Sequence, residues 1–165
     1  MQISISAIGQ DSHRFEPENS HKPLILGGVV VPQARGLCGN SDADVILHAL
    51  TNAVSGISGV NILGKISDEL CLEHGVTDSR VYLKKALETL SPVKCQLTHV
   101  SISVEAQKPH LARFIPKIKQ SIASLLQLPE TCIGLTATTG EGLTGFGRGE
   151  GIQVFVIVSA VKVQS

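Results

Sequence analysis

The stretch Gln96-Leu97-Thr98-His99-Val100-Ser101-Ile102-Ser103-Val104-Glu105 is followed, beyond Pro109, by Leu111-Ala112-Arg113-Phe114-Ile115-Pro116-Lys117-Ile118-Lys119-Gln120-Ser121-Ile122-Ala123-Ser124-Leu125-Leu126-Gln127. Leu97, Val100, Ile102 and Val104 are the main apolar positions of the first part, and their alternation predicts a strand with one buried face. From about Leu111 the apolar residues change to helical spacing, so strand passes to helix within one short connection. Downstream, Cys132–Thr139 and Ile152–Val163 are β-rich and are separated by a loop carrying Gly140, Gly142, Gly145, Gly147, Gly149 and Gly151. Upstream, Ser41 and Asp44 fit a capping box with Asp in place of Glu, which predicts a helix starting near Asp42 and carried by Val45, His48, Ala49, Asn52 and Ala53. Glycines 56, 59 and 64 end it. A second helix follows Asp78-Ser79 through Val81, Leu83, Ala86, Leu87 and Leu90 and stops at Pro92. Gln2–Gly9 predicts a first strand, and Leu24–Val31 predicts a hairpin turning at Gly27-Gly28. The expectation is one α+β domain over residues 1–165, with 10–21, 32–40, 56–75 and 140–151 left irregular.

Composition narrows the function. With 42% hydrophobic and 17% charged residues the chain has the balance of a folded protein, not a disordered one. Fourteen basic residues against fourteen acidic, no Trp and one Tyr leave neither a cationic surplus nor stacking aromatics, so nucleic acid is not expected as a partner. The longest apolar run, Val154–Val161 interrupted by Ser159, is far shorter than the roughly 20 residues that span a bilayer, and no membrane partner is expected. The opening residues lack a secretory pattern, which gives a cytoplasmic expectation. Cys38, Cys71, Cys95 and Cys132 stand more than twenty residues apart without a C-x-x-C pair, so reduced thiols are expected.

Two groups of residues could carry chemistry. Asp11 and His13 sit two apart at the end of the first strand and therefore face the same way, while His48 projects from the first helix. One carboxylate and two imidazoles form a three-ligand set for Zn²⁺ or a similar ion, with a fourth position free. Taken alone, a D-x-H pair and a helical His also fit ordinary core or surface residues. Asp44, four residues before His48, would either orient that ring or cap the helix. The second group is Thr136-Ala137-Thr138-Thr139-Gly140-Glu141-Gly142, which delivers hydroxyls, backbone amides and a carboxylate suited to phosphate and Mg²⁺. A flexible hairpin loop explains the same glycines. Arg148 would bind an anion or pair with Glu150. Neither a P-loop pattern nor a strand-linked G-x-G-x-x-G occurs, which sets aside ordinary ATPase and dinucleotide readings.

Together these fragments resemble the 2-C-methyl-D-erythritol 2,4-cyclodiphosphate synthase family. The resemblance covers nearly the whole chain and rests on an ordered series: Asp11-x-His13, Leu26-Gly27-Gly28-Val29, Ser41-Asp42-x-Asp44-Val45-x-x-His48-Ala49-Leu50, Gly64-Lys65, Asp78-Ser79-Arg80, Ala106-Gln107-x-Pro109, Ala137-Thr138-Thr139-x-Glu141 and Gly147-x-Gly149-Glu150-Gly151. It implies a small-molecule substrate, 4-diphosphocytidyl-2-C-methyl-D-erythritol 2-phosphate, cyclised with release of CMP in the non-mevalonate isoprenoid pathway. It implies a Zn-type ion on Asp11, His13 and His48, and an Mg²⁺ or Mn²⁺ ion held by Glu141 between substrate phosphates. Asn40 and Thr139 are the implied catalytic residues. Substrate contacts are implied for Asp11, His13, Asn40, Ser41, Asn61, Ile62, Gly64, Ala106, Pro109, His110, Ala137, Thr138, Thr139, Gly140, Phe146 and Arg148. The implied fold is a ferredoxin-like or chorismate-mutase-like sheet with helices on one face, assembled as a homotrimer with active sites between subunits.

The sequence departs from the family pattern at Asn40, where a His is usual, at Asn61 for an Asp, at His110 for a Lys, and in Ser67-Asp68-Glu69-Leu70-Cys71 for the usual loop. These departures motivate an alternative, a catalytically impaired trimer that binds isoprenoid diphosphates through a cavity lined by Arg148. A zinc phosphohydrolase using Asp11, His13 and His48 with water as nucleophile is a third expectation.

Overall fold

The computed structural model describes residues 2–163. Four strands, β1 (Gln2–Arg14), β4 (Cys95–Glu105), β5 (Ile133–Thr138) and β6 (Gly151–Val163), form a mixed sheet in the order β1-β6-β4-β5. β4 and β5 run parallel across helix α4 (Ile115–Leu126), and the other pairs are antiparallel. A separate hairpin joins β2 (Pro23–Leu26) to β3 (Val29–Arg35). Its two turn residues, Gly27 and Gly28, have φ values of 60° and 77°, the left-handed pair that a two-residue turn demands and that glycine adopts without strain.

Alternation explains the layers. Val100, Ile102, Val104, Ile133, Val154, Val156, Val158 and Ala160 are buried beneath α1 (Val45–Ser58) and α4, with α3 (Ser79–Glu88) packed on α1. Intervening positions on β1 and β6 face the other way, where Ile8, Phe155 and Ile157 are exposed. The α+β class and the single helical layer agree with expectation. None of the helices among the described residues is long and apolar enough to cross a membrane.

Contact between β1 and α1 is unusually close because each element offers a glycine. A methyl on Gly9 would lie 3.0 Å from the Ala53 Cα, and closer still to the Ala49 carbonyl and the Ala53 amide. In the other direction, Ala7 Cβ would be 2.9 Å from a methyl on Gly56. Residues continuing along the same face of β1, Asp11 and His13, are thereby pressed toward α1.

Several boundaries differ from the sequence reading. β1 continues to Arg14 because β6 pairs with it throughout, Asp11 against Val154 and His13 against Ile152. Its apolar alternation ends at Gly9 because polar side chains take over the inward positions. β3 likewise runs on to Arg35. Helix α1 starts at Val45, not near Asp42: Asp44 is its cap and accepts from the Leu47 amide at 3.0 Å, while Ser41 Oγ accepts from Ala43 in a local turn. The expected Ser41–Asp44 capping box is therefore absent. Part of the 56–75 segment is helical, with α2 (Lys65–Asp68) running into a wider turn at Glu69–Glu73. α4 begins at Ile115, with Pro116 in its first turn, after a tight turn in which the Phe114 amide donates to the Leu111 carbonyl.

Candidate active site and metal centre

The close β1–α1 contact brings Asp11, His13 and His48 to one point. Asp11 Oδ2 lies 2.9 Å from His13 Nε2 and 3.1 Å from His48 Nδ1, and the two ring nitrogens are 3.2 Å apart. Four tetrahedral bonds of the usual zinc–nitrogen and zinc–oxygen length would set neighbouring ligand atoms about 3.3 Å apart. The triangle therefore fits such an ion with little adjustment. Both imidazoles are also held from behind: His13 Nδ1 lies 2.8 Å from the Cys38 carbonyl, and His48 Nε2 lies 2.8 Å from Ser79 Oγ. A carbonyl can only accept, so His13 carries its proton on Nδ1 and turns Nε2 inward. These three residues could hold a metal ion.

The electrostatics of the triad favour a positive charge. Burial alone would raise the Asp11 carboxyl, but the His13 and His48 imidazoles set against it outweigh burial and hold the group at about 2. Burial alone would likewise lower His13, yet Asp11 beside it raises the imidazole above its ordinary value.

Asp44 does not orient His48 through its side chain. Its buried carboxylate accepts from the amides of Gly27 at 2.9 Å, Gly28 at 2.6 Å and Leu47 at 3.0 Å, tying the hairpin turn to the start of α1. Burial pushes this carboxyl up to about 6 against the pull of those amides. The group behind His48 is instead Ser79, the first residue of α3, whose hydroxyl donates to Asp42. Of the two roles the sequence offered for Asp44, capping the helix holds; its tie to the hairpin turn and the Ser79 contact were missed, the Asp78-Ser79-Arg80 landmark marking the place without disclosing the contact.

The remaining candidate residues fall into two other regions. Asn40 and Ser41 lie in the loop before α1, where the Asn40 carbonyl accepts from Cys71 Sγ at 3.5 Å. Asn61, Ile62 and Gly64 follow α1; Asn61 is exposed, whereas Ile62 is buried in the core. At the far side of the sheet, Ala106 donates its amide to the Thr138 carbonyl at 3.0 Å and Gln107 to the Phe146 carbonyl at 3.2 Å. This gathers Ala106, Ala137, Thr138, Thr139, Gly140 and Phe146 around the ends of β4 and β5, while Pro109 lines a cavity with Phe15, Ala34 and Gly149, and His110, next to it, is exposed. Glu141 is exposed, with a left-handed φ of 52°, and Arg148 lies 3.2 Å from Glu150.

Asp11 and His13 end β1, while Thr138 ends β5, at the same end of the sheet but on its opposite edges. Three strand spacings separate them, about 14 Å. His13 and Phe146 both line one small cavity of about 260 Å³, together with Ser12, Arg14, Gly145 and Glu150.

A profile of the YgbB family matches residues 5–161. A relative in Chlamydia trachomatis serovar A, a 2-C-methyl-D-erythritol 2,4-cyclodiphosphate synthase, is 43% identical over 155 residues, covering 94% of this chain and 86% of its own. The bifunctional IspDF of Campylobacter jejuni superposes with a TM-score of 0.89 at 31% identity, over 99% of this chain and 44% of that longer one. A 2C-methyl-D-erythritol-2,4-cyclodiphosphate synthase in its CDP-bound form superposes with a TM-score of 0.75 at 30% identity, over 93% of this chain and 98% of that one.

Proposed function

This chain belongs to the YgbB family, and from that membership we propose that it cyclises 4-diphosphocytidyl-2-C-methyl-D-erythritol 2-phosphate to 2-C-methyl-D-erythritol 2,4-cyclodiphosphate and CMP. An oxygen of the 2-phosphate forms the new bond to the β-phosphorus. The bond from that phosphorus to the oxygen bridging to the α-phosphate breaks, and its electron pair leaves on CMP. The reaction class is that of a phosphorus–oxygen lyase in non-mevalonate isoprenoid biosynthesis, carried out by the whole chain, 1–165, in the cytoplasm.

The observation that carries this reading is the convergence of Asp11, His13 and His48 within 2.9–3.2 Å in a chain of this family. A Zn-type ion on that triad and an Mg²⁺ or Mn²⁺ ion on Glu141 would neutralise the phosphates that must approach each other and polarise the β-phosphorus. The chain's own contribution is alignment. Thr139 would donate to oxygen charge developing at the α- and β-phosphates, with Thr138, Ala137 and Gly140 holding the cytidine diphosphate. Ala106, Pro109, His110 and Phe146 would flank the base, and Asn40, with its side-chain amide in place of the family's usual His, would donate to the phosphates beside Ser41. Asn61, Ile62 and Gly64 would meet the erythritol, with Ile62 offering backbone atoms because its side chain is buried. Arg148 remains a weaker substrate or anion contact, being already opposite Glu150.

The inter-subunit site in a homotrimer that the family resemblance implies is supported by two observations. Triad and threonine edge are about 14 Å apart on one chain, so a second copy presenting its β5 edge to the β1 edge of the first would bring the halves together. The helix-free face, with Ile8, Phe155 and Ile157 exposed, supplies apolar surface for the association.

The test is ³¹P NMR of the protein with the diphosphocytidyl methylerythritol phosphate, Mg²⁺ and Zn²⁺. Cyclic diphosphate and CMP appearing in equal amounts are expected. A phosphate product that takes its oxygen from ¹⁸O-labelled water would instead make the protein a hydrolase, and no turnover by metal-loaded protein would sink the cyclase reading.

A further inference from the structure

We infer that Ser79 and Asp42 are positioning residues that fix the tautomer of His48 and so aim its Nδ1 lone pair at the metal. The inference rests on the metal reading above and concerns residues that touch neither ion nor substrate. Its basis is a count of protons. The Asp42 carboxylate accepts three times: from Ser79 Oγ, from the Ser79 amide at 3.0 Å and from the Asp44 amide at 3.1 Å. An ionised carboxylate has nothing to donate, so the single Ser79 hydroxyl proton points at Asp42. Ser79 Oγ must then accept from its other neighbour, His48 Nε2, 2.8 Å away. His48 is left with its proton on Nε2 and a bare Nδ1 facing Asp11 and His13.

Backbone structure makes this arrangement rigid. The Asp42 amide donates to the Thr77 carbonyl at 2.8 Å, and Ser79 is fully buried at the first position of α3, one residue after the Asp78 cap. The chain Asp42–Ser79–His48 thus ties the loop before α1 and the start of α3 to a side chain from the first turn of α1. Without the Ser79 hydroxyl the imidazole gains a competing state. Its proton can move to Nδ1 and donate to Asp11 Oδ2, only 3.1 Å away, which occupies both a ligand nitrogen and a ligand oxygen. An ion must undo that hydrogen bond before it binds. Partners in this position typically change metal affinity by about 10–100-fold.

The experiment uses full-length protein stripped of metal and titrated with Zn²⁺ against a chromophoric chelator, beside ¹⁵N-histidine NMR of the metal-free state. Wild type should bind one Zn²⁺ per chain at the triad, with His48 in the Nε2–H tautomer. Ser79→Ala should bind about 10–100-fold more weakly and show His48 shifted toward Nδ1–H, with circular dichroism unchanged. Ser79→Thr, which keeps the hydroxyl, should restore both readouts to within a few-fold of wild type. Asp42→Asn should weaken binding less than Ser79→Ala, because an amide can take either hydrogen-bonding role. Normal zinc affinity and an unchanged tautomer in Ser79→Ala would overturn the inference while leaving the metal site intact. Failure of wild type itself to bind zinc would overturn the metal reading. If Ser79→Ala does not fold, Asp42→Asn decides through the same tautomer signal.

Discussion

Replacing Gly9 by alanine tests whether the close β1–α1 contact is what assembles the triad. The new methyl would sit 3.0 Å from Ala53 Cα and nearer to the Ala49 carbonyl and the Ala53 amide, where ordinary contact begins at 3.4 Å. These are backbone atoms of a helix, so no rotamer change relieves the overlap. The helix must withdraw by at least the difference between 3.0 and 3.4 Å, and His48, adjacent to Ala49, withdraws with it. Metal sites tolerate ligand errors of only about 0.2 Å, so the displacement matters more for the ion than for the fold. Overpacking of this kind costs about 1–3 kcal/mol, which in a domain of this length lowers Tm by about 3–10 °C. Zinc affinity should fall by about tenfold or more, since the ion would have to pull the helix back. Thermal unfolding of metal-free protein and zinc titration supply the two readings. Gly134→Ala, whose methyl would find its nearest neighbour at 3.7 Å, is the control and should stay within about 0.5 kcal/mol of wild type. A Gly9→Ala protein as stable and as zinc-avid as Gly134→Ala would refute the argument that this contact sets the ligand geometry.

Further outcomes follow from the same residues. His48→Ala should lose bound zinc and about a hundredfold or more of CMP release while its sedimentation stays that of wild type; retained zinc content would count against the metal assignment. Asp44→Ala orphans the amides of Gly27, Gly28 and Leu47 and should cost about 2–4 kcal/mol in urea unfolding, with an unchanged midpoint refuting its role as tie between hairpin and helix. Asp11 has a folded pKa of about 2 against an ordinary 3.8, so its contribution is present above 3.8 and lost as pH falls toward 2. Metal-free wild type should therefore lose about 2 kcal/mol more than Asp11→Asn across that window, measured by urea unfolding. His13 is raised by the same carboxylate, so zinc binding should weaken as pH falls through a value above 6.5, with proton uptake as zinc leaves; pH-independent affinity between 5.5 and 8 would contradict it.

The elements easiest to read from the sequence were those where one physical rule acts alone. The apolar face of β4 and the glycine pair at 27 and 28 belong to this class, because alternation and left-handed turns leave few other solutions. Reading failed where a second demand overrode the local pattern. β1 appeared to stop at Gly9 because its next inward positions, Asp11 and His13, are polar for the sake of the site, although β6 keeps pairing with them. The start of α1 was misplaced for a related reason: Ser41, Asp42 and Asp44 all have capping chemistry, and only tertiary contacts divide the work among them. Asp44 caps, Asp42 holds Ser79, and Ser41 closes a local turn. The spacing of Asp11 and His13 was legible, but the Ser79 contact was not, since 31 residues separate it from His48 and no periodicity links them.

Under the proposed reading, the two ion sites differ in how much of each the chain builds. The triad stands on a strand and a helix locked by Gly9 and Gly56, and hydrogen bonds behind both imidazoles already direct their lone pairs inward. Three acceptors at 2.9–3.2 Å repel one another unless a positive charge lies among them, and the raised His13 imidazole lets a proton fill that place until a metal does. Glu141 has no such company: it is exposed on a left-handed turn among glycines and offers a single carboxylate. An ion there needs the phosphate oxygens to complete its shell, as Mg²⁺ sites commonly do. On that reading a Zn-type ion would be a resident of the folded chain, and the second ion would arrive with substrate.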